Sequence, residues 1–540
     1  MTILLIQPPI RDFYLTAKRT IPYGLASIAS TLEERGFTVA LIDSLATSKS
    51  RVIDLPDEMA YLKEYYGTPD VSPFALFHHY RHFGYSFEHI KRLARQSRPF
   101  LIGISSLFTA YSAEALATAE AVKSVYPDIP VVLGGHHPTA MPESVMKCRA
   151  VDFVLRGEGE VSMAKLADAL KNGRELTQIP GIVFRKGNGE LHVSDPAMIE
   201  NLDACPLPAT HLVNHRFYQR KKRAAMAIVA SRGCPMACSY CALGNTASRY
   251  RQRSVSSVFN EIRTAADQYD IGFIDFEDEN LALDKGWLLD LLNNIKTLFG
   301  SGRVELRAMN GLYPPSLDEE LIKAMKEAGF KTLNLSLGST SKEQLIRFNR
   351  PDIRYDFEQA VTIARQYDME VVGYVIAGAP GQYPEQSVAD ILYLLNSGVI
   401  AGISIYYPAP GSRDFQLCER TGILPRKLSL MRSTAVPVSD TTRRTESVTL
   451  LRLGRIANFI KSLADEGIKI PGPLPMAQIQ IEPDDSRRQK GIKLLQGFLS
   501  DGHIRGITPH GEIVTHTVSA GLTNQFIRGL GGISPMVPEK

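Results

Sequence analysis

The chain has 540 residues, enough for two or three domains, and 44% hydrophobic with 22% charged residues, as in a soluble globular protein with substantial cores. Its net charge is only +4, and no dense basic run is interleaved with aromatics, so composition gives no support for nucleic-acid binding. No run of about 18 apolar residues is present to span a membrane, and the apolar start, Met1–Pro9, is too short and lacks the basic residues of a signal peptide. Six unevenly placed cysteines point to a reducing cytoplasm rather than to a disulfide framework.

In chain order, Thr2–Gln7 reads as a buried strand closed by Pro8-Pro9. Helical spacing follows over Leu25–Arg35, with Gly36 as its C′ residue and a second strand over Phe37–Ile42. The alternation resumes with strand Phe100–Ser105, helix Ser112–Tyr126, strands Pro130–Leu133 and Asp152–Leu155, and helix Val161–Leu170. Strands alternating with helices predict an α/β, doubly wound, Rossmann-like parallel sheet over residues 1–175. Ligands of such sheets sit at the carboxyl ends of the strands. Those ends carry Gln7-Pro8-Pro9, Ser105-Ser106-Leu107-Phe108-Thr109, Gly134-Gly135-His136-His137 and Arg156-Gly157-Glu158-Gly159-Glu160.

Residues 46–99 form a long insertion rich in aromatics and histidines. Loops of that length are internally structured or functional. His78 and His82 would share a helical face, which admits a metal pair, although a packed subdomain is the favoured reading. Its place at the ligand end predicts a cap that helps form a substrate pocket. A connector, 176–221, contains an Asn188-Gly189 hairpin between Gly181–Phe184 and Leu191–Ser194.

From 222 to about 425 the pattern is again strand and helix. Strands are predicted at Ala224–Ala230, Ile271–Phe276, Val304–Ala308, Thr332–Leu337, Glu370–Ile376 and Ile403–Tyr407, a partial TIM-type (β/α)6 barrel with chemistry at the strands' carboxyl ends. The first strand delivers Ser231–Ala242, in which Cys234, Cys238 and Cys241 stand as Cys-x3-Cys-x2-Cys. Thiolates hold iron–sulfur clusters, usually four to a 4Fe–4S cubane, so three in one loop suggest a cluster with one iron open. Zinc sites instead pair Cys-x2-Cys units or use histidines at fixed spacing, and Cys205, His211 and His215 do not supply them. Residues 426–540 form a less legible α+β region with helices over Val448–Leu463 and Arg487–Ser500.

The cysteine loop resembles that of radical S-adenosylmethionine enzymes, and the first domain's loops resemble the cobalamin-binding domain preceding many of them. The resemblance covers 1–175 and 222–425. It implies a 4Fe–4S cluster on Cys234, Cys238 and Cys241, with S-adenosylmethionine on the open iron and cobalamin as the third cofactor. It implies S-adenosylmethionine contacts at Tyr240 near the adenine, one of Glu277, Asp278 and Glu279 for the amino group, Arg307 for the carboxylate, Ser336, and the glycine turn at Gly378. It implies cobalamin contacts at Ser105, Ser106, Gly134, Gly135 and Gly157. Many cobalamin proteins carry Asp-x-His-x-x-Gly after the second strand; here Asp43-Ser44-Leu45-Ala46-Thr47 lacks the histidine, which puts a lower protein ligand to cobalt in doubt. The implied function is a methyltransferase acting on an unactivated carbon or phosphorus centre through a 5′-deoxyadenosyl radical and methylcobalamin. The alternatives are a cobalamin-using radical cyclase or rearrangement enzyme, a radical enzyme whose first domain has lost cobalamin, and a non-catalytic corrinoid-binding protein. Implied partners are a small-molecule substrate (a lipid or natural-product intermediate among the options) and an electron donor such as flavodoxin or ferredoxin, in anaerobic surroundings.

Overall fold

The protein is described by a computed structural model over residues 1–13, 21–243, 249–435 and 437–531. Strands β1 (Thr2–Gln7), β2 (Thr38–Asp43), β3 (Leu101–Ser105), β4 (Val131–Gly134) and β5 (Phe153–Leu155) run parallel in the order β2-β1-β3-β4-β5. Ile3 to Ile6 are all buried because helices cover both faces of this sheet. Tyr23–Glu34 and Gly159–Asn172 pack on one side, Phe87–Ser97 and Ser112–Lys123 on the other, which makes the sheet doubly wound. The strand order reverses between β1 and β3, and a switch point of this kind opens a ligand crevice at the carboxyl ends of those two strands.

The hairpin read as part of a connector belongs to this sheet. Strands β6 (Ile182–Arg185) and β7 (Leu191–Val193) are antiparallel, and β6 pairs antiparallel with β5, Phe153 opposite Phe184. Ile182 and Val183 are fully buried, so the hairpin covers what would otherwise be an exposed apolar edge. The first domain thus extends at least to Val193.

The insertion is anchored above the switch point. Its segments Arg81–Phe83 and Ser50–Val52 join Ile10–Asp12, directly after Pro8-Pro9, in a three-stranded antiparallel sheet. Phe13, Tyr66, Tyr80 and Phe77 pack ring to ring at 5.0–6.0 Å, so these aromatics fill the insertion's own core. His78 and His82 do not share a helical face: His82 lies buried in the strand Arg81–Phe83, with Nε2 3.0 Å from the Tyr85 carbonyl. Among the described residues no group of three or more His, Cys, Asp or Glu is placed to hold a single metal ion.

The second domain contains β8 (Arg223–Ile228), β9 (Ile271–Phe276), β10 (Glu305–Ala308), β11 (Thr332–Gly338), β12 (Glu370–Ala377) and β13 (Ile400–Ile405), six parallel strands as predicted. They divide three and three between two sheets, the first of which also takes Gln219–Arg220 as an antiparallel edge strand, and the sheets are bridged at Leu306–Phe330 and Leu312–Leu335. The last strand begins three residues earlier than its predicted start, at Ile400, because the turn after the helix Pro384–Asn396 is completed by Gly398 (φ +60°) and Ile400 already pairs with Val372. Residues of the C-terminal region close the free edge of β13. Asn458, on the helix Arg444–Asp465, gives and takes a hydrogen bond with the Ala401 backbone (2.7 and 3.0 Å), standing in for a further strand. The insertion reaches the same region: Phe74 enters its core, Asp70 accepts from His516 at 3.0 Å, and Arg452 donates to the Phe74 and Tyr65 carbonyls. No helix among the described residues is long and apolar enough to cross a membrane.

Candidate active site between the sheet and the barrel

Beyond β8, Ser231–Arg232 pairs antiparallel with Arg251–Gln252, and Gly233 turns at φ +82° into the cysteine loop. Only glycine adopts that turn without strain. Cys238 is buried, while Cys234 and Cys241 keep partial access. The loop is held from outside. Ser239 N–H donates to the Phe348 carbonyl (3.0 Å), the Asn349 amide donates to Ala237 (2.8 Å), and Asp414 N–H donates to Ser239 (3.0 Å). Burial pushes the Cys234 thiol up, with Cys238 and Glu279 adding to this and Arg350 opposing it. Three thiols fixed in one loop at a strand's carboxyl end fit a cubane that leaves one iron for another ligand.

The structure sorts the three acidic residues after β9. Asp278 is fully buried and already engaged, accepting from Ser231 Oγ and, at 3.2 Å, from Ala230 N–H. Burial raises its carboxyl to about 6. The Glu277 carbonyl accepts from Asn310 at 2.9 Å. Glu279 is half-buried beside Cys234, and burial, with Asp278 second among the causes that raise it, lifts its carboxyl to about 7. It is the carboxylate of the three best placed to meet an ammonium next to the cluster.

Arg307 is engaged elsewhere. Asp275 and Arg307 stand opposite each other on β9 and β10, and the guanidinium grips the carboxylate through two hydrogen bonds, one of 3.0 Å. It also lies over the Phe273 ring at 5.0 Å. The cation that does reach the cysteine loop is Arg350, which sequence reasoning missed. It donates to Tyr240 Oη (2.8 Å) and to the Ser336 carbonyl (3.0 Å), while its Nε is buried without a partner. Arg350 thereby brings Tyr240 and Ser336, two predicted contacts on different elements, to one place. Gly378 turns at φ +72° after β12, and a Cβ there would meet Thr442 only at ordinary contact, 3.5 Å.

On the sheet side, the loops after β3 and β4 meet at the crevice. Ser106 is buried, its Oγ has no partner, and its backbone lies so near Gly135 (φ +117°) that a Cβ there would approach the Ser106 carbonyl to 2.6 Å. At Gly134 a Cβ would meet only the Leu155 carbonyl at 3.6 Å, so the protein's own packing leaves space there. Ser105 ends β3 half-exposed, and Leu107 and Phe108 stay 50% and 55% exposed beside it, apolar surface open at a ligand crevice. His137, next in the loop, is buried against Thr109 (3.3 Å), and burial lowers its imidazole to about 4, so it stays neutral. These groups fit a large ligand with a polar tail: one orphan hydroxyl, glycine backbone and free apolar surface. Gly157 differs, since the Ala197 backbone bridges directly to it and already demands glycine. Where the missing histidine would stand, Asp43 accepts from Tyr218 Oη at 2.6 Å, and burial raises its carboxyl to about 6.

Fold and site together define an enzyme of two parts, a doubly wound sheet with a switch-point crevice and a partial barrel with a three-cysteine loop, joined where Arg232 before that loop pairs with Glu160 after β5. Family models agree domain by domain. The B12 binding domain matches residues 75–167 and the Radical SAM superfamily matches 228–392. An uncharacterized methyltransferase of Pyrococcus horikoshii is 28% identical, covering 78% of this chain and 84% of its own. The cytidylyl-2-hydroxyethylphosphonate methyltransferase of Streptomyces wedmorensis is 24% identical, covering 80% and 84%. The radical S-adenosylmethionine methyltransferase TsrM of Kitasatospora setae, solved with cobalamin and a [4Fe-4S] cluster bound, shares the fold with a TM-score of 0.58 at 19% identity, covering 78% of this chain and 75% of that one. The chain thus carries a B12 binding domain followed by a Radical SAM domain, and the cofactors of that pair are a 4Fe–4S cluster, S-adenosylmethionine and cobalamin.

Proposed function

We propose that the protein is a methyltransferase acting on an unactivated carbon or phosphorus centre of a small molecule. The observation that carries this reading is that one molecule holds both ligand ends, the crevice with its orphan Ser106 hydroxyl and the cysteine loop with Glu279 beside Cys234, with the approach to that loop ion-paired to the sheet domain through Arg232 and Glu160. The methyltransferase names of the two relatives aligned over most of their length support it. When bound, the reduced cluster supplies the electron that cleaves S-adenosylmethionine to a hydrogen-abstracting radical, and the corrinoid supplies the methyl group.

The chain's own residues do the binding and orienting. Cys234, Cys238 and Cys241 hold the cluster. Glu279 accepts from the methionine ammonium, and Arg350, rather than the occupied Arg307, pairs with the methionine carboxylate. Tyr240, Ser336 and the Gly378 turn line the nucleoside side. Ser105, Ser106, Gly134 and Gly135 bound the corrinoid tail. The reductant is a low-potential flavodoxin or ferredoxin, in an anaerobic cytoplasm.

The test incubates anaerobically reconstituted enzyme with methyl-labelled S-adenosylmethionine, reductant and a small-molecule extract of the host cells. Deoxyadenosine formed together with a labelled, extract-dependent product is expected. Extract-dependent deoxyadenosine without label in any product would turn the assignment towards cyclisation or rearrangement.

A further inference from the structure

The loop after β5 and the approach to the cysteine loop are joined by a buried lattice of charges. Arg232 and Arg251 face each other in register on the two-residue ribbon whose strands flank the cysteine loop in sequence. Opposite them, two residues apart, stand Glu158 and Glu160 of the sheet domain. Arg232 grips Glu160 and lies 3.5 Å from Glu158; Arg251 holds both Glu158 oxygens, at 2.7 and 3.0 Å. Glu160 is 4% exposed, and the Arg251 and Glu158 side chains are 9% and 16% exposed. Glu158 is fixed in turn by the Ile199 N–H at 2.6 Å.

The lattice continues just past the ribbon, into the helix Val255–Gln268. Arg253 pairs with buried Glu261 at 2.6 Å and reaches Tyr23 Oη at 3.3 Å, at the start of the helix that follows β1. A void of about 30 Å³ beside it, lined by Tyr23, Glu160, Cys205, Arg232 and Arg253, has room for about one water. The contacts of Arg232 and Arg251 with Glu158 and Glu160, and the weaker one of Arg253 with Tyr23, cross between the sheet domain and the residues flanking the cysteine loop, while Glu261 and Ile199 brace each side from within.

We infer that Arg232 and Arg251, through Glu158 and Glu160, are positioning residues that fix the distance between the corrinoid crevice and the cluster. The inference rests on the two-cofactor reading above. Each cofactor needs only its own domain to bind, but both must reach one substrate atom. Removing one member of a buried ion pair leaves its partner uncompensated, so the interface rather than either binding site gives way. Planar guanidiniums suit this role because each meets a carboxylate through two fixed directions.

The test compares wild-type holoenzyme with Arg232→Met and, on the sheet side and away from the cysteines, Glu158→Gln/Glu160→Gln. The surface pair Arg35–Asp168, broken by Arg35→Ala, serves as control. Iron, sulfide and corrinoid are counted, and the magnetic interaction between cob(II)alamin and the reduced cluster is read by EPR. The expected result is full loading of both cofactors in all four proteins, with the cob(II)alamin–cluster interaction lost or smeared in the two lattice variants and intact in the control. Arg232→Lys should restore it in part. An unchanged interaction in the Glu158→Gln/Glu160→Gln protein would overturn the inference and leave the fixing to another contact, such as the buried ion pair, 3.3 Å long, of Arg432 in the C-terminal region with Asp12. A wild-type chain that takes up the cluster but no corrinoid would overturn the two-cofactor reading and the inference with it, and shows itself in the loading alone.

Discussion

The two ligand ends of this molecule are built from different materials. At the barrel end the proposed site is made of side chains: three thiols, a carboxylate raised by burial, and a guanidinium tied to a phenol. At the sheet end it is carried by backbone and shape, namely a switch in strand order, two glycines and one unpartnered hydroxyl. A site made of ligating atoms breaks when an atom is removed. A site made of space breaks when an atom is added.

Removal at the barrel end should have the largest effect. Cys234→Ala/Cys238→Ala/Cys241→Ala is expected to abolish bound iron and sulfide while leaving corrinoid uptake intact, as counted by metal analysis and optical spectra. Addition at the sheet end comes next. Gly135→Val places a Cβ at 2.6 Å from the Ser106 carbonyl, at φ +117°. The strain costs about 1–3 kcal/mol of stability unless the loop moves, and a loop that moves to relieve it changes the crevice. Corrinoid retention should therefore fall with the cluster unchanged; equal retention would deny the crevice its role.

Within the barrel end the effects are graded. Arg350→Met removes a charged hydrogen-bonding group worth about 1.5–3 kcal/mol, so S-adenosylmethionine affinity measured by calorimetry should drop about ten- to a hundredfold. Glu279 gives a pH signature. Its carboxyl ionises at about 7 in the ligand-free protein, and only the ionised form accepts an ammonium. Protons compete with the ligand, so affinity should weaken as pH falls below 7, approaching about tenfold per unit. Glu279→Gln should bind more weakly and lose that slope. The smallest effect on the ligand belongs to Arg307→Met: S-adenosylmethionine affinity should hardly change. Stability should instead fall by about 3–5 kcal/mol, because buried Asp275 loses its partner, and this is read from thermal unfolding.

The same contrast governs what the sequence revealed. The cysteine loop is local, so spacing alone exposed it, and strands such as Thr2–Gln7 and Ile271–Phe276 declared themselves by continuous apolar runs. Arg350 was invisible because its value depends on where the turn after β11 aims it, across the site from Tyr240. Arg307 was assigned to a ligand although strand alternation places it on the same face as Asp275, its partner in register. The hairpin around Asn188-Gly189 was legible as a hairpin, but not as sheet, since only the exposed edge of β5 gives it a partner. The insertion's favoured reading, a packed subdomain, holds, since its rings fill a core of their own; the alternative metal pair required a shared helical face, and pairing puts His82 in a strand.

The measurement that tests the central claim most directly is cofactor stoichiometry. Protein purified without oxygen and reconstituted with iron, sulfide and hydroxocobalamin should hold about four irons and one corrinoid per chain. In the triple-cysteine variant the iron should vanish and the corrinoid remain. A wild-type chain that binds the cluster yet leaves the corrinoid in solution would contradict the account and reduce the first domain to a scaffold.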